Sequence, residues 1–210
     1  GLDCFVELLQ LGGDSKSGAV SAVLGPGSGL GMATILREEN CLRVLASEGG
    51  HADFAPGSHL ESEIWSVLAM DSKYVSWETV LSGNGLVRLY EAMCQVWGSK
   101  CSNYKAEDIT RLGVSLDDPI CHQTLETFYG ILGSAAGNFA LTVGALGGVY
   151  LAGSIVPATS DFAVKSPLRR RFEEKEALDQ LLRKVPIFII KDSSPGLIGV
   201  EQCLRIQLKC

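Results

Sequence analysis

An α/β fold is predicted by three features of the chain. Short apolar runs with strand character stand at 19–24, 41–46, 149–152 and 186–190. They alternate with longer segments whose apolar residues recur at helical spacing, the longest carrying Leu125, Phe128, Leu132, Ala135, Phe139 and Val143 on one face. Glycine-rich turns separate the two kinds of segment, most densely at 25–31 and 147–148. Strands alternating with helices imply sheet and helix layers around a shared core. The 210 residues, 46% of them hydrophobic, suffice for one large domain or two small ones. No internal repeat is visible.

In chain order, residues 1–10 read as the end of a helix, with Phe5, Leu8 and Leu9 on one face, and 12–18 as a turn. The strand at 19–24 runs into a glycine turn and then a helix over 28–37. A second strand, 41–46, leads to a Gly-, Pro- and Asp-rich loop at 47–59, the kind of segment in which function concentrates. Helices are expected at 60–70, at 76–81 (capped by Ser76) and at 86–97, with Ser82-Gly83-Asn84-Gly85 as the turn between the last two. A polar connection at 98–104 precedes a short helix at 105–112. Asp118 and Pro119 mark the start of a helix running to about 146. After the strand at 149–152, helices are expected at 157–162, 167–172 and 175–183, then the strand 186–190 and a final helix over 197–208.

Composition narrows the function. The formal charge of −6 and the lack of a basic stripe argue against a nucleic-acid partner. The one basic run, Arg169-Arg170-Arg171, is followed by Glu173 and Glu174 and reads as a solvated helix face. Seven cysteines without a CxxC pair suggest scattered thiols in a reducing compartment rather than a disulfide framework or a zinc site. No secretory signal opens the sequence. Residues 127–160 carry no charge, a length sufficient for a membrane span. Their recurrent glycines and Asn138 instead favour a buried helix, a glycine turn and a buried strand, so no membrane association is expected.

Two stretches carry the chemistry. Gly25, Gly27, Gly29 and Gly31 allow the backbone to approach a ligand closely, and Ser28 adds a hydroxyl. Backbone amides at such a turn, aimed by a helix N-terminus, can cradle a phosphate. The spacing is neither that of a dinucleotide-binding fingerprint nor that of a Walker loop, and a tight connection without a ligand explains it as well. About twenty residues later come Glu48, Gly49, Gly50, His51 and Asp53. Carboxylates accept hydrogen bonds and an imidazole both donates and accepts, which suits a polyol. On the residues alone, His51 also reads as a structural imidazole, Glu78 as an acid at a helix N-terminus and Asp53 as a group that fixes the loop.

Leu24-Gly25-Pro26-Gly27-Ser28-Gly29-Leu30-Gly31, followed by Glu48-Gly49-Gly50-His51-Ala52-Asp53-Phe54-Ala55-Pro56, closely resembles the bacterial-type glucokinase family of ATP-dependent sugar kinases. Further matching segments follow in the same order at 75–86, 147–157, 187–190 and 195–199, so the resemblance covers nearly the whole chain. It implies an actin-like ATPase (ribonuclease H-like) fold, of which residues 1–210 form the C-terminal large lobe, a mixed sheet flanked by helices, without the N-terminal small lobe. It implies transfer of the ATP γ-phosphoryl group, with Mg²⁺, to the 6-hydroxyl of glucose in the cytoplasm. By resemblance Glu48, His51 and Glu78 bind the sugar. Gly25, Gly27, Ser28 and Gly29 face the ATP phosphates, and Gly147, Gly148 and Gly153 admit the adenosine. Ser154 departs from the family's usual glycine and narrows that pocket. The family's Asp-x-Gly-Gly-Thr motif and the Asn-Asp-Phe segment with the general base do not occur in this sequence, so the chain alone is expected to catalyse poorly or not at all. A non-catalytic sugar-binding or regulatory relative is the alternative, and association into a homodimer stays open.

Overall fold

The structure, a computed structural model, describes residues 7–13, 20–38 and 41–191. Its first elements are strands: β1 (Leu8–Leu11), β2 (Val20–Pro26), β3 (Leu30–Glu38) and β4 (Cys41–Ser47). One turn of 3-10 helix, Gly49–His51, leads into α1 (His59–Asp71), α2 (Trp77–Val80), α3 (Gly83–Val96), α4 (Ala106–Ser115) and α5 (Pro119–Val143). Next come β5 (Val149–Leu151), α6 (Ile155–Ala158), α7 (Ser160–Lys165) and α8 (Leu168–Glu173). A second 3-10 turn at Glu176–Leu178, α9 (Asp179–Leu182) and β6 (Ile187–Ile190) complete the described chain. The expected helix over 197–208 and the 195–199 motif lie outside the described residues.

The strands hydrogen-bond in the order β1-β6-β5-β2-β3-β4. β2, β3 and β4 form an antiparallel meander, β5 lies parallel to both β2 and β6, and β1 closes the other edge antiparallel to β6. The expected mixed sheet flanked by helices is therefore present. Three local expectations are overturned. Residues 8–11 form a strand where a helix end was expected, held by Leu8↔Ile190 to Leu11↔Ile187. Residues 30–38 form β3, not a helix, because seven residues of β2 pair with it in register, from Val20↔Leu36 to Pro26↔Leu30. Ser82 to Gly85 is not a turn: Ser82 is the N-cap of α3, its hydroxyl accepting from the Gly85 N–H at 2.9 Å.

The uncharged stretch resolves as expected into an inner helix, a glycine turn and a buried strand. Asp118 caps α5 by accepting from the N–H groups of Ile120 and Cys121, and Gly144 ends it in the left-handed conformation at φ 66°. α5 packs on α3, α4, α8 and β2. Its glycines let α8 come close, since a Cβ at Gly137 would stand 2.7 Å from the Phe172 carbonyl oxygen. Among the described residues no helix is long and apolar enough to cross a membrane.

The arginine run is not a solvated face. Only Arg170 is exposed. Arg169 pairs with Glu173 and donates to the carbonyls of Leu11, Leu182, Val185 and Arg183, tying α8 to β1 and to the segment before β6. Arg171 forms a two-pronged pair with buried Glu61 (2.5 and 3.1 Å) and also donates to Ser134 of α5. Glu61 in turn accepts from the Gly57 N–H at 2.7 Å, which fixes the end of the loop entering α1.

Candidate functional site

The glycine loop is the tip of the β2–β3 hairpin. The Gly27 N–H donates to the Gly29 carbonyl at 2.8 Å, and Pro26 and Leu30 are the last paired residues. The helix expected over 28–37 does not begin here, and Ser28 sits exposed at the tip. Two other segments meet this tip. The turn after β5 runs alongside it: the Ala152 N–H donates to the Leu24 carbonyl at 2.8 Å. Gly153, at φ +88°, lies so close that a Cβ there would collide with the Pro26 carbonyl. The N-terminus of α3 comes from the other direction, with the Gly83 N–H donating to the Gly27 carbonyl at 2.7 Å. A glycine turn beside a helix N-terminus is thus present, but the helix is α3, drawn from elsewhere in the chain. Gly83 was missed in the sequence, although Ser82 followed by glycines is a helix-start signal that a turn assignment concealed.

Glu48, His51 and Glu78 are brought together. The His51 Nε2 lies 3.9 Å from both the Glu48 Oε2 and the Glu78 Oε1. The Glu48 and His51 side chains are largely exposed, and that of Glu78 is one-third exposed. Each is positioned by local structure. Glu48 and His51 bracket the 3-10 turn, closed by the His51 N–H on the Glu48 carbonyl at 2.9 Å. Gly50 packs this turn onto β3, where a side chain would strike the Leu30 carbonyl. Glu78 occupies the first turn of α2, whose N-cap Ser76 and Thr79 form a reciprocal capping box. The Trp77 N–H donates to the Ala52 carbonyl at 3.0 Å, and the Phe54 and Trp77 rings pack at 5.4 Å, locking α2 to the loop. The Tyr74 hydroxyl donates to the His51 carbonyl.

The two groups meet through Glu78. Its Oε2 accepts from the Leu30 N–H at 2.7 Å, directly after the glycine tip, while its other oxygen faces His51. The expected fixing role of Asp53 is carried by its backbone, which forms a β-bridge with Ser76. Ser154 is exposed, its hydroxyl 3.9 Å from the place a Cβ on Gly27 would take. Gly147 and Gly148 are not brought to this group. They precede β5 and Gly153 follows it, so the strand's length, about 10 Å at roughly 3.3 Å per residue, separates them. The Gly147 N–H donates to the Val20 carbonyl at 2.7 Å, and Gly148, at φ +115°, packs beside Phe188 and Pro186. Among the described residues no cluster of three His, Cys, Asp or Glu could hold a metal ion.

A family model described as Glucokinase matches residues 6–207. The chain is 42% identical to a glucokinase of Chromobacterium violaceum, over 96% of this chain and 58% of that protein. It therefore spans rather more than half the length of that relative. A glucokinase structure from an Antarctic psychrotroph superposes with a TM-score of 0.87 at 35% identity, covering 94% of this chain and 62% of that one. At 17% identity and a TM-score of 0.58, a ROK family glucokinase from Streptomyces griseus, solved with glucose and AMPPNP, shares the fold over 87% of this chain and 59% of its own. The sheet with its flanking helices is that of the actin-like ATPase kinases, and with its full described length inside the matched residues, this chain belongs to the glucokinase family.

Proposed function

We propose that this chain supplies the sugar-binding loop and part of the nucleotide site of a kinase that phosphorylates glucose with ATP, residues 1–210 forming the C-terminal large lobe. The convergence of Glu48, Glu78 and His51, with the imidazole 3.9 Å from both carboxylates, carries the reading. The carboxylates accept from sugar hydroxyls and His51 completes the ring of polar groups. Glu78 bridges this sugar site to the hairpin tip. Gly25, Gly27, Ser28 and Gly29 face the phosphates there, with Gly153 on one side and the positive end of α3 at Gly83 on the other. Phosphoryl transfer asks chiefly for positioning and charge stabilisation, and a sugar hydroxyl held by Glu78 beside a glycine tip meets the first need. Mg²⁺ belongs to the reading as the partner of the ATP phosphates, keeping much of its water shell. Gly147 and Gly148 stand a strand's length from the hairpin tip and, by the family resemblance, face the adenosine rather than the phosphates. The family relationship and the use of ATP favour a cytoplasmic enzyme.

Calorimetric titration of glucose into the chain and into Glu48→Gln tests the assignment. Hydrogen bonds to a charged partner contribute about 1.5–3 kcal/mol each, so the variant is expected to bind glucose roughly ten- to hundred-fold more weakly. Equal affinity in the two proteins would remove Glu48 from the sugar site.

A further inference from the structure

Behind the sugar loop, on the side away from the glycine tip, lies an open cleft of about 460 Å³. Its lining comes from the loop end (Asp53, Phe54), one face of α1 (Trp65, Ser66) and the segment before α2 (Lys73, Tyr74). Phe54 is buried and forms an apolar floor. Trp65 and Tyr74 are 39% and 49% exposed, large aromatic surfaces that the fold leaves uncovered. Asp53 and Lys73 are exposed.

We infer that this cleft is a second binding site of the chain, for a neutral pyranose ring. A pyranose has an apolar C–H face and a rim of hydroxyls. Aromatic side chains supply flat apolar area with a polar tip. A carboxylate accepts from hydroxyls and an ammonium donates to them, so Asp53 and Lys73 offer the cleft one acceptor and one donor group. The volume lies within the range of small-ligand pockets, and an apolar floor with a few polar groups is their usual composition. The cleft also touches the first site. Tyr74 lines it and donates its hydroxyl to the His51 carbonyl, and the Asp53 backbone is bridged to Ser76 beside α2. A sugar stacked on Tyr74 therefore bears on the loop that holds Glu48 and His51. Coupling of the two sites is then reciprocal: each occupant changes the affinity for the other by the same factor. That coupling rests on the proposed sugar loop, whereas the cleft site itself does not.

The test is a glucose titration of the ¹⁵N-labelled chain, followed through its indole N–H signals, with Trp65→Phe used to assign Trp65. The expected result is a saturable shift of the Trp65 signal that persists in Glu48→Gln and weakens about tenfold in Asp53→Asn. A Trp65 signal that stays still, or one that moves only while Glu48 is intact, overturns the cleft site. If the sugar loop were misassigned instead, Glu48→Gln would leave every titration step unchanged while the Asp53→Asn effect remained. Lys73→Ala guards against an Asp53→Asn change that acts through folding. It leaves loop and helix contacts in place and is expected to weaken the same shift several-fold, and an unchanged curve would again count against the site.

Discussion

At the scale of single residues, Gly29 and Glu78 depend on each other. A methyl group on Gly29 would occupy the space of the Glu78 carboxylate, the same carboxylate that accepts from the Leu30 N–H. Gly29→Ala must displace either the hairpin tip or Glu78. The expected outcome is a loss of about tenfold or more in glucose affinity, the worth of one hydrogen bond to a charged group, with little change in melting temperature. Calorimetry and thermal unfolding of the same sample check this. A variant that melts far lower would show that the glycine serves the hairpin alone. Glu48, His51 and Glu78 were singled out by the family resemblance, since on the residues alone His51 and Glu78 read as structural groups, and the fold brings the three together. Gly83 was not, because its contact with the hairpin tip arises from where α3 begins in space.

At the scale of elements, the buried Glu61–Arg171 pair joins α1, α5 and α8 and anchors the exit of the sugar loop through Gly57. Removing one member leaves a buried charge without its partner, at a cost of about 3–5 kcal/mol. Glu61→Ala is therefore expected to lower the melting temperature by at least about 6 °C, at roughly 2 °C per kcal/mol for a chain of this size. The double replacement Glu61→Leu with Arg171→Met should recover much of that loss, and calorimetric scans of the three proteins decide it. Other elements show where sequence reading stops. Met32, Ala33, Leu36 and Arg37 favour helix, yet β2 and β4 on either side force them into a strand. Leu8 and Leu9 look helical, and nothing near them announces their partner in β6. The caps at Ser76 and Asp118 were legible because they are local. The arginine run was misread because acidic neighbours in sequence suggest solvent, whereas Arg169 and Arg171 find their partners across the fold.

At the scale of the whole molecule, the core buries groups that ionise in alkali. Burial pushes the Cys121 thiol up from about 9 to about 12, aided by the negative charge of Asp118. Burial likewise raises the Tyr90 phenol from about 10 to about 12. Below pH 9 both are neutral in the folded and unfolded chain alike, so stability does not depend on them. Between pH 9 and 12 only the unfolded chain ionises, which draws the equilibrium away from the fold. The denaturant midpoint is expected to hold up to about pH 9 and then fall, and Cys121→Ala should fall less steeply. Equal slopes would exclude the thiol as a cause.

The parallel pairing of β2 with β5 also bears on the order in which the protein is expected to assemble. Glu48, His51 and Glu78 are drawn from one stretch of chain, 48–78, and the β2–β3–β4 meander beside them is built from neighbours. Such hairpins form within microseconds. The Gly153 side of the hairpin tip is different, because the Ala22↔Val149 pairing spans the whole of α1 to α5 in sequence. Closing that long excursion costs chain entropy before any contact repays it, and contacts of this kind dominate slow folding. Refolding should restore sugar binding before nucleotide binding, and double-jump experiments with glucose and with an ATP analogue would time the two. On this order the Gly153 turn is expected to reach the hairpin tip only in a completed sheet, a state that a nascent or half-refolded chain has not reached.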